Sequence, residues 1–291
     1  MKQNINWYPG HMAKAKKSLS ENLFLIDIVI EIVDARIPIS SKNPDIENFA
    51  VNKLKILVLN KSDLVDEKFT RASVNFFNGY NCVPVDSISG KGFNEIKRMI
   101  NKFADEKREK LKKRGRIFSP VRIMVLGIPN VGKSTFINKF VGKKIAKAAD
   151  KPGVTLSKQW IKICKDVELL DTPGILWPKF DNEQIALNLA FTGAIKDTNL
   201  NLYEIALKLI EKLNSIDKNI LKCRYGIEKK NAAEELADIS KKRGFVKKSG
   251  ELDLDRAAII LLDEFRGGKL GKIFLDDLLD KRKSLCHHIV I

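Results

Sequence analysis

Three short stretches carry residue types and spacings suited to nucleotide chemistry. The first is "GIPNVGKS" (127–134), in which Gly127 and Gly132 bracket four residues and Lys133-Ser134 follow. It comes after the apolar run "VRIMVL" (121–126) and leads into "STFINKF", which has helical spacing. Glycines in such a strand–loop–helix unit let backbone N–H groups turn inward around phosphates, and the helix start adds partial positive charge. The backbone of Val131, Gly132 and Thr135 belongs to this cradle. Lys133 would bridge the β- and γ-phosphates as the catalytic cation, and the Ser134 hydroxyl would ligate Mg²⁺.

The second stretch is "DTPG" (171–174), at the end of the apolar run "VELL". Asp171 would hold Mg²⁺ through water, and the Gly174 N–H would meet the γ-phosphate. Sixteen residues before Asp171, "KPGVT" supplies Thr155, whose hydroxyl would complete the magnesium shell. The third is Asn60-Lys61-Ser62-Asp63, at the end of "KILVL" (55–59). Asp63 can accept from guanine N1–H and the 2-amino group, which adenine does not offer. Asn60 would tie this loop to the phosphate loop, and the Lys61 stem would cover the base. Twenty-five residues later "VDSISGKG" offers the backbone N–H groups of Ser87 and Ile88 to guanine O6.

The order of these parts is unusual. The base-reading tetrad precedes the phosphate loop by more than sixty residues, whereas it normally comes late in a guanine-nucleotide domain. All five elements are present, so the expected arrangement is a circular permutation, with the old termini joined and new ones opened elsewhere.

The elements that must position these residues follow from the pattern. Strand-like segments lie at 26–33, 55–59, 81–85, 121–126, about 157–164 and 167–170, and helix-like ones near 11–23, 44–52, 67–78, 92–110 and 133–141. Short apolar strands alternating with helices predict a mostly parallel sheet covered on both faces. The charge run "DEKREKLKKRGR" (105–116) extends the helix beginning near Phe93 or forms a solvated linker, within a connecting region of about 105–119. After about 180 only helical spacing remains, as in "LYEIALKLIEKL" and "DLDRAAIILLDEFRGG". The pattern therefore predicts an α/β domain followed, after about 180, by an all-α domain.

Composition narrows the partners. Against 36 Asp+Glu stand 53 Lys+Arg, a formal net charge of +17, which favours a polyanion such as RNA. "LFLIDIVIEIV" (23–33) is interrupted by Asp27 and Glu31 and is too short to span a bilayer, and "MKQNINWYPG" has no apolar signal region, so the expected setting is the cytoplasm without a membrane partner. Four widely spaced cysteines, with no Cys-x-x-Cys pair, read as reduced thiols.

The chain resembles the circularly permuted GTPases and, within them, the ribosome biogenesis GTPase A family. The resemblance rests on "WYPGHMAKA" (7–15), "VDARIP" (33–38), "LNKSDL" (59–64), "GIPNVGKST" (127–135), "PGVT" (152–155), "DTPGILWP" (171–178) and "LDLDRAAIILLDEFRGGKLGKI" (252–273). It implies the fold class α/β, a circularly permuted Ras-like P-loop GTPase domain over 1–178 followed by a C-terminal all-α domain over 179–291 that helps bind rRNA, with GTP and GDP as ligands together with Mg²⁺. The implied role is a late step of large (50S) subunit assembly on pre-ribosomal particles, with no DNA partner. It also gives Asn130 a potassium-holding role. Ile175 stands where Ras-like enzymes carry the water-orienting glutamine, so the resemblance makes His11 the catalytic candidate. The alternative is a GTP-binding regulatory or tRNA-modification partner protein, from which ribosomal-particle binding discriminates.

Overall fold

A computed structural model describes residues 23–43, 46, 52–116, 119–142, 160–164, 166–170, 182–228 and 230–278. The chain forms two compact units, one holding the described residues between 23 and 170, the other those between 182 and 276.

The first unit is built on a six-stranded sheet. Its strands are β1 (Ile28–Asp34), β2 (Leu54–Asn60), β3 (Asn81–Val85), β4 (Val121–Gly127), β5 (Trp160–Cys164) and β6 (Val167–Leu170), in the order β3-β2-β1-β4-β6-β5. All neighbours are parallel except β5 and β6, a hairpin with a register shift between Lys162 and Cys164. Every residue of β1 is buried, Asp34 included, because this strand sits in mid-sheet with both faces covered. The chain runs outward from β1 through β2 to β3, then returns to β4 on the other side of β1 and continues to β6. The direction reverses between β1 and β4, and in open parallel sheets ligands bind beyond the strands' carboxyl ends at such a point.

Helices α1 (Glu67–Phe76), α2 (Phe93–Lys113) and α3 (Lys133–Val141) connect or follow these strands. The charge run at 105–113 is helical: it extends the helix whose buried face is set by Phe93, Ile96, Ile100 and Ala104, and three lysines in the last turn suit the helix dipole. Lys107 fastens this half of α2 to the sheet by donating to Asp27 Oδ2 (2.8 Å) and to the Pro120 carbonyl (3.0 Å). The expected helices at 11–23 and 44–52 lie almost wholly outside the described residues.

The second unit contains α4 (Glu183–Phe191), α5 (Leu202–Ile216), α6 (Asn219–Tyr225), α7 (Ala232–Lys242) and α8 (Leu254–Arg266). Four of these helices begin with an Asn or Asp whose side chain accepts a first-turn N–H: Asn182, Asn201, Asn231 and Asp253. Helix α8 packs against α4, α5 and α7. Its buried Glu264 accepts from Arg224 Nε and Nη2 (2.8 and 2.9 Å), Tyr225 OH (2.8 Å) and Arg243 Nη2 (2.7 Å). Hydrogen bonds from Arg224 lead the effects that lower its pKa to about 2, against the opposing effect of burial. One departure from a purely helical pattern is a two-residue bridge between Val246 and Leu252, closed by a tight turn at Gly250 (φ 87°).

Candidate guanine-nucleotide site

The phosphate loop begins where β4 ends. A side chain at Gly127 would put a Cβ 2.7 Å from the Ile32 carbonyl of β1, so only glycine lets the two strands part this closely. The loop turns through Asn130 (φ 61°) and Gly132 (φ 90°), then enters α3, whose first turn closes with Phe136 N–H donating to Gly132 O (2.9 Å). Lys133 and Ser134 are half-buried at this helix start, Thr135 is exposed, and Val131 is buried.

The tetrad meets this loop directly. Asn60 is buried, and its Nδ2 donates to the Val131 carbonyl (2.7 Å). A Cβ on Gly132 would collide with that same amide, so Gly132 is required for its backbone conformation and for this approach. Asn60 Oδ1 accepts from the Ser87 hydroxyl (2.7 Å), which joins the loop after β3 to the same junction. One asparagine thus connects three loops at the carboxyl ends of β2, β3 and β4.

Lys61 has φ 59°, a left-handed conformation that non-glycine residues adopt at a cost. Its ammonium donates to the Asn130 carbonyl (2.6 Å) and to Asp34 Oδ2 (2.9 Å). Asp63, in the short 3-10 turn Ser62–Leu64, is exposed and its side chain has no partner among the described residues. Ser87 lies in the same cluster, with its side chain on Asn60. Ile88 is 79% exposed, and its N–H already donates to Asp86 Oδ1 (2.8 Å), so it would have to share that bond to reach a base oxygen. Burial opposes ionisation of Asp86, yet hydrogen bonds from Ser89 and Ile88 lower its pKa.

Two contacts hold base loop and phosphate helix together. Lys139 on α3 donates to the Ile88 carbonyl (3.0 Å). Phe93, at the start of α2, stacks on Phe136 of α3 (centroids 4.9 Å), which stacks in turn on Phe140 (5.7 Å). Sequence reasoning assigned no role to Lys139, Asp34 or these rings. Asp34 did carry a signal, since an acid at the end of a buried, mostly apolar strand must find a partner.

His11, Thr155, Asp171 and Gly174 lie outside the described residues, as do Ile175 and Leu176. Among the described residues no cluster of His, Cys, Asp or Glu forms a metal site, Cys82 and Cys223 are free thiols, and no helix is long and apolar enough to cross a membrane.

Residues 122–237 match the 50S ribosome-binding GTPase family. Ribosome biogenesis GTPase A of Bacillus cereus is 44% identical over 273 residues, covering 92% of each chain. The chain belongs to the ribosome biogenesis GTPase A family. A more distant member, from Thermotoga maritima, is 33% identical over 272 residues, covering 92% of this chain and 93% of its own. Among solved structures, GNP-bound YlqF from T. maritima aligns with a TM-score of 0.65 at 29% identity, over 91% of this chain and 99% of that one. GDP-bound YlqF aligns at 0.63 and 28%, over 89% and 98%. Family membership accounts for the order of the parts: the permuted domain presents its base tetrad at the end of β2 and its phosphate loop at the end of β4, two strands that flank β1.

Proposed function

We propose that this chain binds and hydrolyses GTP in a late step of large (50S) ribosomal subunit assembly, bound to rRNA within pre-ribosomal particles in the cytoplasm. The observation carrying this reading is the junction at Asn60, which joins the tetrad, the 87–88 loop and the phosphate loop.

Asp63 accepts from guanine N1–H and the 2-amino group, and the Lys61 stem lies against the ring. The backbone of 128–132 and the start of α3 surround the phosphates, and Lys133 neutralises charge between the β- and γ-phosphates. Magnesium would be held by the hydroxyls of Ser134, at the first turn of α3, and Thr155 and, through water, by Asp171, and when bound it would neutralise phosphate charge. The family resemblance gives Asn130, at the turn of the phosphate loop, a role in holding potassium. In hydrolysis the oxygen of water bonds to the γ-phosphorus as the bridging bond to the β-phosphate breaks, leaving GDP and phosphate. Ile175 and Leu176 cannot orient that water, so intrinsic hydrolysis is slow and the ribosomal particle stimulates it through His11. Bound GTP orders the loops that engage rRNA, and hydrolysis releases the factor.

Sedimentation with ribosomal particles tests the reading. Co-sedimentation is expected with a non-hydrolysable GTP analogue and much less with GDP; equal or absent co-sedimentation would overturn it. For the catalytic group, His11→Ala should leave GTP affinity within about threefold but slow particle-stimulated single-turnover hydrolysis at least about tenfold, ~1.4 kcal/mol of transition-state stabilisation. Wild-type turnover in that variant would remove His11 from catalysis.

A further inference from the structure

We infer that Asp34, with its buried partner Arg36, is a positioning residue for guanine-nucleotide binding: it holds the Lys61 ammonium on the phosphate-loop carbonyl of Asn130, so the base platform is set before the nucleotide arrives. The inference rests on the nucleotide site proposed above and adds a residue pair outside the base tetrad and the phosphate loop.

Asp34 ends β1, the strand between the tetrad strand and the phosphate-loop strand. It pairs in register with Asn60, while Ile32, two residues earlier, pairs with Gly127. β1 therefore carries an acid to the place where the two binding loops meet. The side chains of Asp34 and Arg36 are each only 2% exposed. Arg36 Nε and Nη2 donate to Oδ1 (2.9 Å) and Oδ2 (2.8 Å), and the Arg36 N–H adds a bond to Oδ1 (3.1 Å). The turn itself is closed by Asp34 N–H donating to Ser41 Oγ (3.0 Å) and Ser41 Oγ donating to Ile37 O (2.7 Å).

These contacts set the direction of dependence. Arg36 alone neutralises the carboxylate with a planar, two-pronged fit. Asp34 does not need Lys61 in order to be buried, but Lys61 needs Asp34. A lysine stem has four carbons and many rotamers, and here it springs from a left-handed backbone. Two anchors at the Nζ, one on the loop carbonyl and one on the carboxylate, fix that stem in advance, which lowers the ordering cost of binding. Burial opposes ionisation of Asp34, but the charges of Lys61 and Arg36 hold its carboxyl well below the usual carboxylate range. The anchor therefore remains ionised around neutral pH.

Removing Asp34 alone would take the carboxylate away from a buried guanidinium, so the test replaces the pair by a neutral one, Asp34→Asn/Arg36→Gln. Dissociation of a fluorescent GDP is followed in the full-length chain by stopped flow. The dissociation rate should rise about tenfold, the loss of one charge-assisted hydrogen bond. The same replacement in a Lys61→Met background should change the rate less than about twofold, because Asp34 acts through Lys61. The preference for GDP over IDP should stay as in wild type, since the guanine edge is read elsewhere. A wild-type dissociation rate in the neutral pair, or an equal rise with and without Lys61, would overturn the inference. Should the neutral pair fail to fold, Asp34→Glu supplies the same cycle: it keeps the charge and displaces the carboxylate by one methylene. Failure of the wild-type chain to bind GDP would instead overturn the site assignment, and this inference with it.

Discussion

Raising salt from ~50 to ~200 mM is expected to weaken binding to ribosomal particles by about three to five decades, as for six to ten phosphate contacts. The expectation follows from the net charge of +17 and from where that charge stands. In the first unit the end of α2 and the residues after it carry Lys110, Lys112, Lys113, Arg114 and Arg116. In the second, Lys241, Lys242, Lys247 and Lys248 are exposed around the 246–252 turn, beside an Arg243 held in place by Glu264. Each phosphate such groups neutralise releases condensed counterions, so affinity falls linearly with salt on a double-logarithmic plot. Sedimentation across a salt series, with the GTP analogue and with GDP, gives the slope. Salt-insensitive, nucleotide-independent binding would remove rRNA as the partner.

Asp63→Asn should lower GTP affinity at least about a hundredfold while raising affinity for xanthosine triphosphate. In the proposed site the Asp63 carboxylate would accept two hydrogen bonds from guanine, at N1–H and the 2-amino group. The amide of the variant would place a donor against a donor, and the desolvated edge of the base would be left unsatisfied. Xanthine carries a carbonyl where guanine carries the amino group, and the amide suits it. The substitution should not disturb folding, since Asp63 is exposed and its side chain is unpartnered among the described residues. Competition of each triphosphate against fluorescent GDP measures both affinities. Unchanged GTP affinity would take base reading away from Asp63.

The strands and the two nucleotide loops were legible because their signals are local. VRIMVL followed by a glycine-flanked loop and a helix-forming run needs no tertiary knowledge, and neither does an Asn-Lys-x-Asp closing an apolar strand. The contacts that turn these pieces into one site were not legible. Asn60 and Val131 are seventy-one positions apart, and Lys61 and Asp34 twenty-seven. Only the strand order, with β1 between β2 and β4, brings them together. The stacking of Phe93 on Phe136 and Phe140 was hidden for the same reason, since each ring alone reads as ordinary core. The Val246–Leu252 bridge was missed because two residues are too few to show an alternating pattern. The end of α2 was ambiguous because charge-rich sequence suits both a solvated linker and an exposed helix face, and its ties to Asp27 and Pro120 are long-range.

Placing β1 in mid-sheet has a consequence for the chain during its own synthesis. A ribosome making this protein releases β1, β2 and β3 first, and these can pair as a half-sheet. The other edge of β1 belongs to β4, which begins at Val121, 36 residues after β3 ends at Val85, on the order of two to seven seconds at ordinary elongation rates. Through that interval the nascent half-sheet presents an open edge, with Ile28, Ile30 and Ile32 beside it, the kind of surface that invites pairing with a wrong strand. The phosphate loop emerges with the strand that closes this edge, so nucleotide can stabilise the domain only once the hazard has passed. In an unpermuted domain the phosphate loop is made first; here it emerges after the base-reading loops, together with the strand that closes the open edge of β1.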